Sequence, residues 1–144
     1  MSIRPNRVYN YVANEFSAIN FEVTENTADV IRFKANITAK KYFSDDVLLR
    51  VVSYKSGTYH VFFTFDQLDK NLRSYEAINE FNDNVSFFQG YISEKKGGDF
   101  FELHASSIVE ASEDEIGDAI CYIINQLLDD DVLKYLQPIT KLTY

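Results

Sequence analysis

The stretch from Val47 to Phe65, VLLRVVSYKSGTYHVFFTF, limits the possible folds more than any other. It consists of two runs rich in β-branched and aromatic residues on either side of Ser56-Gly57, the composition of two strands joined by a tight turn. A two-residue turn at Ser56-Gly57 opposes Tyr54 with Tyr59, Val52 with Val61 and Val51 with Phe62. Large apolar side chains then occupy both faces. That pattern predicts a hairpin at the centre of a sheet, with its second face at least partly covered.

The segments on either side agree with a sheet flanked by helices. Pro5 suits a first helical turn, and Val8, Val12, Phe16 and Ile19 recur at helical spacing, so a short amphipathic helix is expected over 5–18. In DVIRFKANI, Ile31, Phe33, Ala35 and Ile37 alternate with Arg32, Lys34 and Asn36, the pattern of a half-buried strand. A short strand at NFEVT precedes it, and 38–46 is a polar loop. Helical spacing returns at Leu72, Tyr75, Ile78 and Phe81, and Asn82 to Asn84 are expected to stop it. A second hairpin follows over 85–92 and 99–107, turning at Gly97-Gly98. Phe88 and Ile92 share one face of it with Phe101, Leu103 and Ala105. Gln89, Tyr91 and Ser93 share the other with Phe100, Glu102 and His104.

Ser112 and Glu115 form a capping-box pair ahead of an apolar run. Ile116, Ile120, Ile123 and Leu127 make one stripe, widened by Ala119, Ile124 and Leu128. The spacing predicts a single long helix through Val132 and Leu136 that stops before Pro138. The element order is therefore α-β-β-β-β-α-β-β-α. Hairpins without βαβ alternation give an α+β fold, an antiparallel sheet of five to six strands with helices at the N-terminus, the middle and the C-terminus. With 144 residues and 46% hydrophobic content, residues 1–144 are expected to form one domain with a real core.

The net charge of −8 is unevenly placed. Residues 1–71 hold nine Lys/Arg and eight Asp/Glu, whereas 72–144 hold five and fourteen. So acidic a half should repel nucleic acid, which argues against direct DNA or RNA binding. No apolar run reaches the length needed to span a bilayer, MSIRPNRVYNYV lacks the apolar centre of a signal peptide, and Cys121 is the sole cysteine. Those features favour the cytoplasm and exclude an intrachain disulfide.

Few residues offer chemistry. His60 and His104 lie in separate predicted strands without metal-ligand spacing. Cys121 falls on the less apolar side of the last helix, with no histidine or cationic partner evident, as expected of an inert thiol. The acidic runs SEDE and DDD lack the alternating ligands and the glycine of a calcium loop and are expected to cap and solvate helices. The glycines of SGT and KKGG belong to hairpin turns, and neither opens a helix as a phosphate loop does. No nucleophile–base pair stands out, so no enzyme and no cofactor are expected. An enzyme would need a pocket joining His60 or His104 to carboxylates.

A helix ending in Asn residues, then a strand pair, then SEDEIGDAICYIINQLLDDDVLKYLQPI resembles the YbjN-like family, whose members share a fold with the type III secretion chaperones. The likeness spans residues 74–139 in pattern and the whole chain in element order. It implies a small acidic cytoplasmic protein, often a dimer, that binds another polypeptide and catalyses nothing. The chain departs from that pattern in its wealth of Tyr, Phe and Asn and in its polar first helix.

Two functional classes follow. One is a non-enzymatic chaperone-like or regulatory module that binds another protein or peptide segment. In this reading the chain is a homodimer whose interface uses the sheet face or edge bearing Phe62, Tyr91, Phe100 and His104. The alternative is an acidic inhibitor, of the toxin-immunity or phage-encoded kind, that blocks a basic nucleic-acid-binding site.

Overall fold

The computed structural model of the chain describes residues 3–107 and 112–144. Its elements are α1 (Pro5–Glu15), β1 (Glu22–Asn26), β2 (Val30–Ile37), β3 (Val47–Tyr54), β4 (Tyr59–Gln67), α2 (Leu72–Asn84), β5 (Gln89–Lys95), β6 (Gly98–Ser107), α3 (Glu113–Gln126) and α4 (Asp130–Thr140). The six strands form one antiparallel sheet in the order β1-β2-β3-β4-β6-β5. The fold is α+β, and the β3–β4 hairpin lies at the centre of the sheet. Among the described residues no helix is long and apolar enough to cross a membrane.

The central hairpin turns differently from the expected two-residue loop. Tyr54 N–H donates to the Thr58 carbonyl at 2.9 Å, and Gly57 N–H donates to the Tyr54 carbonyl at 2.9 Å. The loop is thus Lys55-Ser56-Gly57, with Gly57 at φ 95°, a left-handed conformation that glycine takes at no steric cost. One extra loop residue moves the register by one. Val51 pairs with Val61, Val52 with His60 and Arg50 with Phe62. Val51 therefore faces the core, and the expected Val51–Phe62 and Val52–Val61 pairs do not form. The β5–β6 turn is Lys96-Gly97, one residue earlier than expected, since Lys95 pairs with Gly98. The facing of that hairpin is as expected, with Ile92 opposite Phe101 on one side and Tyr91 opposite Glu102 on the other.

All four helices lie on one face of the sheet. Tyr9 of α1 packs edge-on against Phe33 of β2, and Phe81 of α2 sits over Gly90 of β5. Ile116 and Ile120 of α3 and Leu136 and Ile139 of α4 join the same cluster as Phe33, Leu49, Val51, Val61, Phe63, Phe101 and Leu103. α1 and α3 meet where Gly117 lets the Tyr11 ring lie against the α3 backbone, and the Tyr11 hydroxyl donates to Asp118. Ser112 and Glu115 exchange both bonds of the capping box.

Two helices differ from expectation. The long C-terminal helix breaks, because Asp129 accepts from Asp131 N–H at 3.0 Å and caps a new helix, α4. Three consecutive aspartates fit a cap and a first turn better than a helix interior. Pro138 lies inside α4, in its last turn, where it removes one backbone bond. In α2 the buried stripe is Ser74, Ile78 and Phe81, and Leu72 is 74% exposed in the first turn.

The Asn82–Asn84 segment does more than end α2, which runs through Asn84. Asn82 Nδ2 donates to the Gly90 carbonyl at 2.9 Å, and Asn82 Oδ1 accepts from Gly90 N–H at 2.7 Å. One side-chain amide takes the place of a neighbouring strand at the outer edge of β5. That edge is otherwise open to pairing with another chain.

Candidate functional site

The second face of the sheet carries no helix among the described residues. Register assigns to it Arg32 and Lys34 of β2, Arg50, Val52 and Tyr54 of β3, and His60, Phe62 and Thr64 of β4. Phe100, Glu102 and His104 of β6 lie beside them, with Tyr91 and Lys95 of β5 at the far side. Phe62, Tyr91, Phe100 and His104, the four residues singled out from sequence, all occupy this face. Phe62 and His104 are direct cross-strand neighbours, as are Tyr91 and Glu102. Phe100 stands apart, opposite Gln67 and Ser93 at the end of β6.

At the centre is a flat array of rings. Phe62 stacks on His104 with centroids 4.5 Å apart and planes within 12°. His60 Nδ1 lies 2.9 Å from His104 Nε2, and the two rings are 17° from parallel. Tyr54 meets His60 edge-on. On its other flank Phe62 is covered by the Arg50 guanidinium, 4.8 Å from the ring centroid, a cation–π contact. The two histidines are 44 residues apart in sequence, yet the β4–β6 pairing makes them hydrogen-bonding partners.

Beside the rings is a buried carboxylate. Glu102 is only 3% exposed. Its Oε2 accepts from Thr64 Oγ1 at 2.6 Å and Arg50 at 2.9 Å, with Lys95 Nζ at 3.3 Å, and its Oε1 accepts from the Tyr91 hydroxyl at 2.5 Å. Burial alone would raise the carboxyl's pKa. The bonds from Thr64 and Tyr91 and the charges of Arg50 and Lys95 outweigh burial and hold it below the usual carboxylate range. The Tyr91 hydroxyl is pushed well above its ordinary value, first by burial and then by its bond to Glu102. Burial also lowers His104, helped by His60 and opposed by Glu102.

Each cation on this face is paired within the chain. Arg32 bonds Glu25 at 2.8 Å, Lys34 approaches Glu22 at 3.8 Å, and Arg50 and Lys95 share Glu102. Four strand-borne cations and three carboxylates give the face a net charge of +1, on a chain whose net charge is −8. The acidic excess is on the helical side, where the first turns of α3 and α4 hold Glu113, Asp114, Glu115, Asp130 and Asp131.

Among the described residues, no three of His, Cys, Asp and Glu gather as a metal site would require. A cleft beside Phe62, about 140 Å³ and lined by Thr24, Arg32, Lys34, Arg50, Val52 and Phe62, includes neither histidine. Cys121 is buried on α3 rather than on a polar side, and burial, then Glu15 and Asp118, push its thiol up to about 11. A thiol so held is a poor nucleophile at neutral pH.

Sequence reasoning found the residues of this face but not their connections. Alternation within DFFELHASS shows which residues share a side. The His60–His104 bond and the four-donor cage of Glu102 depend on strand order and register, which alternation leaves open. Comparison of the chain with family models, curated proteins and solved structures finds no match.

Proposed function

We propose that this chain is a non-enzymatic protein-binding module, chaperone-like or regulatory in role, that takes another polypeptide on the helix-free face of its sheet. The observation that carries the reading is that each cation around the Phe62–His104 array already has a carboxylate partner within the chain. Burying an unpaired charge is prohibitive, whereas a charge already held by its partners loses far less when water leaves. Aromatic rings and an Arg flanked by paired ions are the composition of an interface centre. The resemblance to the YbjN-like family, and the cytoplasmic location it implies, belong to the same reading.

The rival, an acidic inhibitor, would use the first turns of α3 and α4. Two of those carboxylates are already engaged, Glu113 with Arg4 and Glu115 in the capping box. A photo-crosslinking amino acid placed at Phe62 or Ser106, and separately at Tyr122 on the helical side, decides between them in the native host. We expect polypeptide adducts from positions 62 and 106 that persist in high salt. Adducts from position 122 alone, weakened by salt, would overturn the proposal in favour of the acidic surface.

A further inference from the structure

We infer that the partner on this face is a second copy of the chain, docked face to face about a twofold axis, and that acid loosens the dimer. The inference rests on the reading of the helix-free face as a docking surface. Three independent features of the face support it.

The first is area. Six strands spaced about 4.8 Å apart, with central strands of eight and nine residues rising about 3.4 Å each, offer roughly 800 Å². That matches the ~800 Å² per partner of a standard stable interface. Sheets also pack well on one another, about 10 Å apart and about 30° off parallel.

The second is charge. Two helical sides brought together would join two acidic surfaces. Two sheet faces, each near neutrality with its ions paired at home, meet with little repulsion. A twofold arrangement lets the same patch serve both chains.

The third is the histidine pair. At 2.9 Å one ring nitrogen must donate and the other accept, so the contact is satisfied when the pair shares one proton. Facing the pair are Tyr54 and Val52 from β3, Phe62 from β4, Gln89 from β5, and Glu102 and Ser106 from β6. The charged neighbours are committed elsewhere. Arg50 lies over Phe62 and bonds Glu102, Arg32 bonds Glu25 and the Tyr54 hydroxyl, and Glu102 already accepts from Thr64, Tyr91 and Arg50. Protonating both rings breaks their bond and sets two cations in contact. Water relieves that in an isolated copy, but a dry interface would not. General electrostatics runs the other way, because acid reduces the net negative charge and the repulsion between copies. Weakening in acid is therefore a signature of the pair.

The test is light scattering of the full chain across the micromolar range at about pH 8 and about pH 5, where histidine changes charge. We expect a dimer at the higher pH whose Kd rises at least about tenfold at the lower, the equivalent of one pKa unit. Phe62→Glu and Ser106→Arg should each give folded monomers by circular dichroism. Ser106 is exposed, so Ser106→Arg tests the surface even if Phe62→Glu fails to fold. Tyr122→Glu, on the 60%-exposed tyrosine of α3, should remain dimeric. His60→Gln combined with His104→Gln should dimerise at neutral pH and lose the acid response. A wild type monomeric throughout overturns the second copy, and the crosslinks from positions 62 and 106 then judge the docking reading separately. A dimer that survives Ser106→Arg, or an acid response that survives loss of both histidines, also overturns the inference.

Discussion

Replacing Gly117 with alanine sets helix propensity against packing, and the structure decides the sign. Gly117 lies in the interior of α3, where alanine is favoured over glycine by about 0.8–1.0 kcal/mol. A methyl group there would come within 2.7 Å of Tyr11 Cγ and 3.1 Å of Tyr11 Cβ. These atoms are the root of the side chain, fixed to the α1 backbone, and Tyr11 is further held by its bond to Asp118. The ring cannot swing away at its tip, so α1 and α3 must separate. Overpacking of this kind costs typically about 1–3 kcal/mol, and a clash at the ring's root belongs at the upper end. The net expectation is destabilisation by about 1–2 kcal/mol, read from urea melts followed by circular dichroism with unchanged slope. In a Tyr11→Ala background the ring is gone and only the 3.1 Å contact with Cβ remains, so the same substitution should be near neutral, that contact offset by a propensity gain of up to about 1 kcal/mol. A Gly117→Ala protein as stable as wild type, or equal effects in both backgrounds, would refute the close approach of α1 and α3.

Three further outcomes follow from single contacts. Glu102→Gln should cost about 2 kcal/mol, since it weakens charge-assisted bonds from Arg50, Thr64 and Tyr91 while the open face lets water return. Because the folded-state pKa of Glu102 is depressed, its contribution is present above the unfolded carboxylate value and is lost as pH falls through the folded one. The wild-type advantage over Glu102→Gln in denaturant melts should therefore shrink in acid. Asn82→Ala should destabilise by about 1–2 kcal/mol and speed amide exchange at Gly90, whose N–H and carbonyl both lose their partner. Asp66 is raised to about 6, first by burial and then by its hydrogen bond to Asp45, so its contribution is full below the unfolded value and is lost as pH rises through about 6. Asp66→Asn should accordingly be more stable than wild type at pH 8, with the gain vanishing near pH 4 in parallel denaturant melts.

Alternation and capping make most of the fold legible in the sequence. DVIRFKANI buries Ile31, Phe33 and Ala35, and Ser112 with Glu115 starts α3 as the capping box requires. Where expectation and structure part, one-residue choices decide. A Lys55-Ser56-Gly57 loop and a Ser56-Gly57 turn differ by one residue, and that difference sends Val51 to the core and leaves Phe62 opposite Arg50. The Asp129 cap that splits the last helix is masked by the i, i+4 row Ile120, Ile124, Leu128, Val132 and Leu136, yet that row drifts by about 40° a step, so one straight helix would put the buried residues of α4 on the side opposite Ile116, Ile120 and Ile123. For the site, period-two patterning reaches the membership of the face and stops there. Whether helices cover one face or both is a matter of how loops return the chain, and the apolar content of β3 and β4 fits either arrangement.

The central claim is that the helix-free sheet face is a docking surface used by a second copy. Amide and side-chain NMR spectra followed through a dilution series, from high to low micromolar concentration, test it most directly. We expect concentration-dependent shifts centred on Val52, Phe62, Tyr91, His104 and Ser106, with Leu72 and Tyr122 unchanged. Shifts confined to the helical side, or unchanged spectra from a chain that tumbles as a monomer throughout the series, would contradict it.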